Sequence, residues 1–205
     1  MSAFEMLLKK DFKLENNRVK LEPIHISHID SLEAISHDKT IWKYILEADK
    51  EEDWFTHYCQ AAIQNLEYST EIPFVIHDKV INRISGMTRI YGYDKDLKVM
   101  KIGQTWLAKD TWGTGLNKHV KFLLLDYIFE FLGMERVGFG VHEENVRSIN
   151  ALESLGCKLE GTLRNYLPKI GEEGRADLLL FGILRKEWEL SIREALQKRL
   201  KDLGQ

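Results

Sequence analysis

A glycine-rich turn between a predicted strand and a long predicted helix holds the residue types that most directly suggest chemistry. It consists of Trp112, Gly113, Thr114, Gly115, Leu116 and Asn117. Glycines at this place let a bulky group approach the main chain closely. The first N–H groups of the following helix have no helical acceptor, and the helix dipole favours an anion beside them. The turn therefore predicts a binding site for a phosphorylated ligand.

Two lysines follow the turn on the same helix, Lys118 and Lys121. A lysine at such a position usually lies on a solvated face, with its aliphatic stem along apolar surface. The alternative is that either ammonium group pairs with a bound phosphate. The sequence alone leaves both interpretations open.

The helix after the turn is indicated by apolar residues that recur with helical spacing. They are Val120, Leu123, Leu124, Tyr127, Ile128 and Phe131. Gly133 is placed to end this helix. A strand is predicted from Arg136 to Val141, followed by a second helix with Asn145 as its N-cap and Gly156 just past its end.

The other predicted elements complete a mixed architecture. They are strands over residues 18–23, 73–77, 81–91, 98–107, 157–163 and 177–184, and helices from about Ser27 to Ser36 and over residues 53–66 and 186–203. This order predicts an α+β fold, with a mostly antiparallel mixed sheet and helices on both faces, rather than a doubly wound parallel sheet. We expect one domain over residues 1–205, with its core over about residues 18–188.

Composition and charge exclude several classes of protein. The chain of 205 residues is 44% hydrophobic and 30% charged, as in a globular domain. Its net charge of -3, with both signs interspersed, argues against a nucleic-acid partner. No apolar run approaches the length of about 20 residues that a membrane-spanning helix needs. Charged residues near the start, where a signal peptide is apolar, favour a cytoplasmic location without a membrane partner.

The cysteines and histidines give no sign of a metal site. Cys59 and Cys157 lack the spacing of metal ligands, and we expect both to be reduced thiols. His25 and His28 lie close together in the sequence, but no cysteine or further histidine pair accompanies them. The prediction is therefore that the protein has no metal site.

Four segments, taken together, resemble the GCN5-related N-acetyltransferase (GNAT) family. They are Thr105-Trp-Leu, Trp112-Gly-Thr-Gly-Leu-Asn, Asn145-Val-Arg-Ser and Leu155-Gly-Cys-Lys-Leu-Glu-Gly-Thr-Leu-Arg. The resemblance is strongest over residues 103–164 and is greatest to the branch of ribosomal-protein alanine and serine N-acetyltransferases. It implies the GNAT fold, in which one pair of strands splays apart, and it implies acetyl-CoA as the cosubstrate.

The resemblance also assigns residues to the cosubstrate. The splayed strand leaves a slot for the pantetheine arm at Thr105, Trp106 and Leu107, and the amides of the turn, through Lys118, grip the pyrophosphate. Asn145 would bind the pantetheine or acetyl end; a plain helix N-cap is the alternative. In this chain Trp112 stands where the commonest family signature has Gln or Arg, and Asn117 replaces a final Gly or Ala.

The catalytic assignment that the resemblance implies differs from that of many family members. These have a Tyr as general acid at the position of Leu152. In the ribosomal-protein branch the corresponding pair maps to Ser148, as acid or hydrogen-bond donor to the thiol, and to Glu160, as base through water. The alternatives are that Ser148 only caps the helix or faces solvent, and that Glu160 is an exposed polar residue of a strand.

Aromatic residues are the candidates for the acceptor pocket. Trp42 and Tyr44 lie in the region that shapes this pocket in the family, and Tyr166 follows the strand that carries Glu160. Each could equally be a core or lid residue. We expect the acceptor to be the α-amine of a protein N-terminus or the amine of a small molecule. The protein could be a monomer or a homodimer.

Two other functions compete with this one. A dinucleotide site would use Gly113 and Gly115, with Glu143 or Glu144 on the ribose. Against it, Lys118 stands where a third glycine is required, and no alternating series of strands and helices follows. The second alternative is a non-catalytic module of the same fold that binds acyl-CoA. Leu152 in place of Tyr is compatible with that alternative, whereas Ser148 and Glu160 favour an enzyme.

Overall fold

The computed structural model describes residues 3–9, 11–45 and 53–203. In this part of the chain the strands are β1 (Leu14–Glu15), β2 (Val19–Pro23), β3 (Glu71–Asp78), β4 (Arg83–Asp94), β5 (Val99–Leu107), β6 (Arg136–His142), β7 (Lys158–Pro168) and β8 (Arg175–Leu184). They form one sheet in the order β1-β2-β3-β4-β5-β6-β8-β7.

The helices pack on the two faces of this sheet. They are α1 (Ala3–Leu7), α2 (Ile29–Glu33), α3 (Trp54–Glu67), α4 (Leu116–Asp126), α5 (Val146–Leu155), α6 (Arg185–Glu187) and α7 (Arg193–Leu203). A π-helical turn, Tyr127–Phe131, extends α4, and a second one, Trp188–Ile192, joins α6 to α7. Within the described residues, no helix has both the length and the apolar character needed to cross a membrane.

The sheet opens between its one pair of parallel strands among the described residues, β5 and β6. These strands pair at Val99 with Arg136, at Met100 with Val137 and at Lys101 with Gly138. Beyond Lys101 the two strands separate, while β4 continues to pair with β5 up to Leu107. The mixed, mostly antiparallel sheet with a splayed strand pair confirms the predicted fold.

Two hydrophobic clusters cover the two faces. The cluster on the face of α4 contains Phe74, Met100, Leu124, Phe181 and Trp188. The cluster on the face of α3 contains Trp42, Tyr58, Val75, Met87 and Trp106. Both clusters take residues from β3, β4 and β5, so the strand that borders the opening is fixed from both sides.

The predicted apolar stripe of the helix after the turn is correct as far as Ile128 and wrong at its last residue, Phe131. Val120, Leu124 and Ile128 are buried, but Phe131 is 66% exposed. The π-helical turn that begins at Tyr127 changes the angle between successive side chains, so the spacing of 3.6 residues no longer applies. The same face of α4 buries Lys121, which the sequence placed on a solvated face or beside a phosphate.

Candidate active site

A cavity of about 420 Å³ occupies the opening between β5 and β6. Its walls are the end of β5, the glycine-rich turn with the start of α4, the second half of β6, and α5. Tyr44 closes one side of it. The predicted residues that line this cavity are Tyr44, Thr105, Trp106, Leu107, Trp112, Gly113, Gly115, Leu116, Asn117, Lys118, Asn145 and Ser148.

Backbone conformation explains the glycines of the turn. Gly113 has φ 78° and Gly115 has φ 84°, both in the left-handed region that other residues avoid. Gly115 is the N-cap of α4 and provides no side chain to bond the first amides of the helix. Thr114 does not line the cavity, because its hydroxyl donates a hydrogen bond of 2.7 Å to the carbonyl of Thr111 and holds the turn.

Positive charge surrounds Trp112 at the mouth of the cavity. The indole Nε1 donates to the carbonyl of Leu107 at 3.0 Å, which fixes the ring. The ammonium of Lys109 lies 3.8 Å from the ring centroid and the guanidinium carbon of Arg147 lies 3.4 Å from it. Burial lowers the pKa of Arg147. Two cations and a helix N-terminus thus meet where the sequence predicts a bound phosphate.

Asn145 has the N-cap role that its position predicted. Its side-chain oxygen accepts a hydrogen bond of 3.2 Å from the backbone N–H of Ser148. This bond satisfies one of the free donors at the start of α5 and fixes the direction in which the helix leaves β6. The cap therefore brings Ser148 to the cavity wall.

Glu160 lies next to the closed end of the opening rather than on the cavity wall. It occupies a register shift of β7 between Leu159 and Gly161, and its carboxylate forms an ion pair with Arg136. The carboxylate lies over Gly182, where any side chain would collide with it. Gly182 pairs with Gly138, the residue of β6 at which pairing with β5 ends. The carboxylate is therefore level with the end of the slot.

Two other predicted residues lie away from the cavity. Trp42 is 6% exposed and belongs to the core on the face of α3, where its Nε1 donates to the carbonyl of Ser36 at 2.6 Å. Its enclosed ring packs against the ring of Trp106, with 4.8 Å between the two ring centroids. Tyr166 is 58% exposed on the β7–β8 hairpin.

His142 is a cavity residue that the sequence reasoning did not identify. Its Nδ1 accepts a hydrogen bond of 3.2 Å from the backbone N–H of Glu144, and its Nε2 lies 3.1 Å from the carbonyl of Pro168. These partners fix the proton of the neutral ring on Nε2. Tyr44 donates to the carbonyl of Glu144 at 2.8 Å. The two side chains fasten the loop after β6 to its neighbours.

Lys121 was also missed as a buried residue. It is 4% exposed, lines the cavity, and donates to the hydroxyl of Thr105 at 2.7 Å. A usable signal was present in the sequence, because Lys121 directly follows Val120 and precedes Leu124 by three positions and Leu125 by four, which is the spacing of one helical face.

A second cavity of about 870 Å³ lies between β2 and α3, away from the opening. Beside it, Glu22, His28 and His77 bring their ligand atoms within 4.8 Å of one another. The backbone N–H of His25 donates to Nδ1 of His28, which leaves the proton of the neutral ring on the nitrogen that faces Glu22. Lys20 is 3.0 Å from the same carboxylate. The group forms a network of ion pairs and hydrogen bonds around Glu22, and the absence of a metal site stays a prediction.

The sequence profile of the acetyltransferase (GNAT) domain matches residues 18–158, which is more than half of the chain. The chain belongs to the GNAT acetyltransferase family. Its sheet, with one splayed parallel strand pair and a glycine-rich turn at the mouth of the opening, is the fold of this class.

Individual relatives agree with this assignment. An N-acetyltransferase of Bacillus licheniformis called p20, itself uncharacterised, is 34% identical over 82 residues, which is 40% of this chain and 45% of the relative. YdaF of Bacillus subtilis (strain 168), provisionally named a ribosomal N-acetyltransferase, is 30% identical over 106 residues, 52% of this chain and 56% of the relative. The chain spans about half the length of these curated relatives.

A solved structure shows the same fold over nearly the whole chain. Mycobacterium smegmatis RimJ, in complex with CoA-disulfide, has a TM-score of 0.74 and 22% sequence identity. The alignment covers 92% of this chain and 93% of RimJ. At this coverage the likeness extends beyond residue 158, where the match to the domain profile ends.

Proposed function

We propose that the protein is an acetyl-CoA-dependent N-acetyltransferase, which transfers the acetyl group to a primary amine by direct attack within a ternary complex. The observation that carries this proposal is the slot between β5 and β6, with the glycine-rich turn and the N-terminus of α4 at its mouth. Membership of the GNAT family supports it.

The residues of the slot fit the cosubstrate. The free amides at the start of α4 suit the pyrophosphate, and Lys109 and Arg147 lie beside them. Asn117 Oδ1 is a buried oxygen for which the described residues supply no hydrogen-bond partner, as expected of an atom that accepts from a ligand. The backbone of β5 beyond Lys101, which β6 does not pair, suits the amides of the pantetheine arm.

Acetyl-CoA supplies the thioester, and the protein must provide for three needs of amide formation. The attacking amine must be neutral, which an α-amine with a pKa near about 8 partly achieves at pH 7. The developing oxyanion needs donors, which the unpaired N–H groups of β5 supply. The departing thiolate needs a hydrogen-bond donor, and Ser148 is the cavity residue that we assign to this role.

Glu160 is the proposed base, acting through water. The position of the carboxylate supports this role, because it is level with the closed end of the slot. From there Glu160 would approach a bound acyl group from the opposite face. The ion pair with Arg136 keeps the carboxylate in place. Because Glu160 is not a wall residue of the cavity, a bridging water is required by this assignment.

The acceptor that we favour is the α-amine of a protein N-terminus. The name of YdaF supports this choice, since it refers to ribosomal acceptors. A small-molecule amine is the second candidate, and Tyr44 and Tyr166 are the aromatic side chains that we assign to acceptor contacts in either case. We place the enzyme in the cytoplasm, as a monomer or a homodimer.

The test is release of CoA thiol from acetyl-CoA by the purified protein, with two sets of acceptors. One set contains peptides that begin with Ala or Ser, each paired with the same peptide already acetylated at its N-terminus. The other contains polyamines. We expect turnover with the free peptides alone, and a loss of about 10²-fold or more in kcat for Glu160→Gln. Binding of acetyl-CoA without turnover on any acceptor would favour the non-catalytic module, which Leu152 in place of Tyr makes the second candidate function.

A further inference from the structure

The floor of the slot contains a primary amine that the mechanism above does not use. Lys121 projects from α4 toward the sheet and is 4% exposed. Its Nζ lies 2.7 Å from Oγ1 of Thr105 and 3.5 Å from Oγ1 of Thr88. The two threonine hydroxyls are themselves 2.7 Å apart. Lys121 is thus joined to Thr105, on the strand that borders the slot, and both residues line the cavity.

No carboxylate compensates this amine among the groups that act on it in the described structure. Burial lowers the pKa of Lys121 to about 7, and the opposing influence comes from the thiol of Cys157, the residue before β7. Burial also raises the pKa of Cys157 to about 12, so this thiol is neutral at physiological pH. The partners from β4 and β5 are hydroxyl groups. Lys121 therefore gains or loses its proton near neutrality, in direct contact with the slot.

The other titratable side chains of the cavity have partners elsewhere or lie at its mouth. Tyr44 donates its proton to the carbonyl of Glu144, and both ring nitrogens of His142 have partners. Arg147 lies on the ring of Trp112. Lys118 is in the first turn of α4, at the mouth. Ser148 cannot give up a hydroxyl proton at neutral pH unless it receives another.

We propose that Lys121 donates the proton that the CoA thiolate takes up as the thioester breaks, directly or through the hydroxyl of Thr105. This inference rests on the proposed function. The acceptor nitrogen forms the new C–N bond, the C–S bond breaks, and the electron pair stays on sulfur. The Lys121 ammonium then transfers one proton to sulfur, which gives the CoA thiol and a neutral amine. The acceptor nitrogen loses its own proton through water to Glu160, which releases it to solvent, and Lys121 regains a proton from water when CoA leaves.

The test follows the ionisation of the CoA thiol bound to the protein, by the ultraviolet absorption of the thiolate as the pH is raised. Desulfo-CoA complexes provide the blank for the protein's own groups. The variants are Lys121→Met, Lys121→Arg and, as a control, Lys95→Met, whose side chain lies in an exposed turn. In the unaltered protein Lys121 is already neutral when the thiol ionises, because its pKa is about 7, so we expect the bound thiol to titrate close to free CoA.

Lys121→Arg keeps its charge and should lower the pH at which the bound thiol titrates by about one unit, whereas Lys121→Met and Lys95→Met should titrate as the unaltered protein does. Lys121→Met should also lower kcat by about 10²-fold with little change in KM for acetyl-CoA, and Lys121→Arg should not restore kcat, because arginine does not release its proton. Identical thiol titrations in the unaltered protein and Lys121→Arg would overturn the inference, because residue 121 would then not face the sulfur. That result is distinct from failure of the proposed function, in which calorimetry would detect no binding of CoA to the unaltered protein.

Discussion

At the scale of single residues, burial changes what a lysine does to the stability of the fold. The pKa of Lys121 is about 7 in the folded protein, whereas an unfolded chain has a lysine pKa near about 10.4. Between these values the unfolded chain binds more protons than the folded one. Lys121 therefore destabilises the fold less as the pH rises through this window, and its full destabilising effect is present below pH 7.

We predict that Lys121→Met is more stable than the unaltered protein at pH 7. The difference should narrow toward pH 10, by at most about 1.4 kcal/mol for each pH unit. Urea unfolding of both proteins at several pH values measures it. Parallel pH dependence in the two proteins would show that Lys121 keeps an ordinary pKa in the folded state.

Asn145 has an observed role as helix N-cap and a proposed role in CoA binding, and the two can be tested separately. We predict that Asn145→Ala destabilises the protein by about 1 kcal/mol, because Ser148 loses the acceptor for its N–H. The same change should weaken CoA binding, measured by calorimetry. Asn145→Asp is the matched variant, since a carboxylate keeps the cap but lacks the amide N–H groups. Full CoA affinity in Asn145→Ala would confine Asn145 to capping.

The roles of individual residues could be predicted only in part from the sequence. The pattern of a polar residue followed by a helical stripe predicted the cap at Asn145, and the glycine-rich turn at residues 113–115 indicated a backbone that only glycine tolerates. The partners of Lys121 and Glu160 were not readable, because Thr105 and Arg136 reach them through the register of strands. Spacing along the chain does not encode that register.

At the scale of elements, the slot depends on how closely β4 approaches β5. Gly86 has φ 149°, and a side chain there would collide with the carbonyl of Trp106 and contact Leu107. Both of these residues border the cavity. The glycine therefore lets the strand that forms one wall of the slot lie against its neighbour.

We predict that Gly86→Ala lowers the free energy of unfolding by roughly 2–4 kcal/mol, because the carbonyl of Trp106 must move. Gly161→Ala is the control, as a side chain at that strand position meets no atom within 4 Å. Urea unfolding compares the two variants. Equal, small effects would mean that β4 and β5 shift apart without cost.

Elements with regular patterns were predicted well. Strands β2 to β6 and β8 and the helices α3, α4 and α5 were expected close to their observed bounds, because apolar spacing records which face is buried. Strand β1 was not predicted, and β7 extends to Pro168, beyond its predicted end at residue 163. The opening between β5 and β6 entered only as part of a family resemblance, since both strands carry ordinary strand residues. The π-helical turn Tyr127–Phe131 was missed because it breaks the periodicity on which the prediction depended.

At the scale of the whole molecule, a buried ion pair closes one end of the β2–β3 pairing, where Val19 pairs with Asp78. Nε and Nη2 of Arg18 lie 3.0 and 2.9 Å from the two carboxylate oxygens of Asp78, whose side chain is 1% exposed. Removing one partner leaves a charge in the interior without compensation. We predict that Arg18→Met destabilises the protein by about 3–5 kcal/mol, measured by urea unfolding.

The control for this prediction is Arg83→Met. Arg83 forms an exposed ion pair with Asp110, with side-chain exposures of 40% and 64%. Solvent screens such a pair, so the loss should be less than about 1 kcal/mol. Similar effects of the two variants would show that Asp78, without Arg18, finds another cationic partner or gains access to water.

Trp112 gives the molecule an optical property of its own. Its indole is held between the charges of Lys109 and Arg147 at the mouth of the cavity, and the emission of an indole depends on the charges beside its ring. A phosphate that draws either cation away changes that field and therefore the fluorescence. We predict that binding of acetyl-CoA can accordingly be timed by stopped-flow fluorescence without any attached dye, and that Trp112→Phe removes the part of the signal that arises at the mouth.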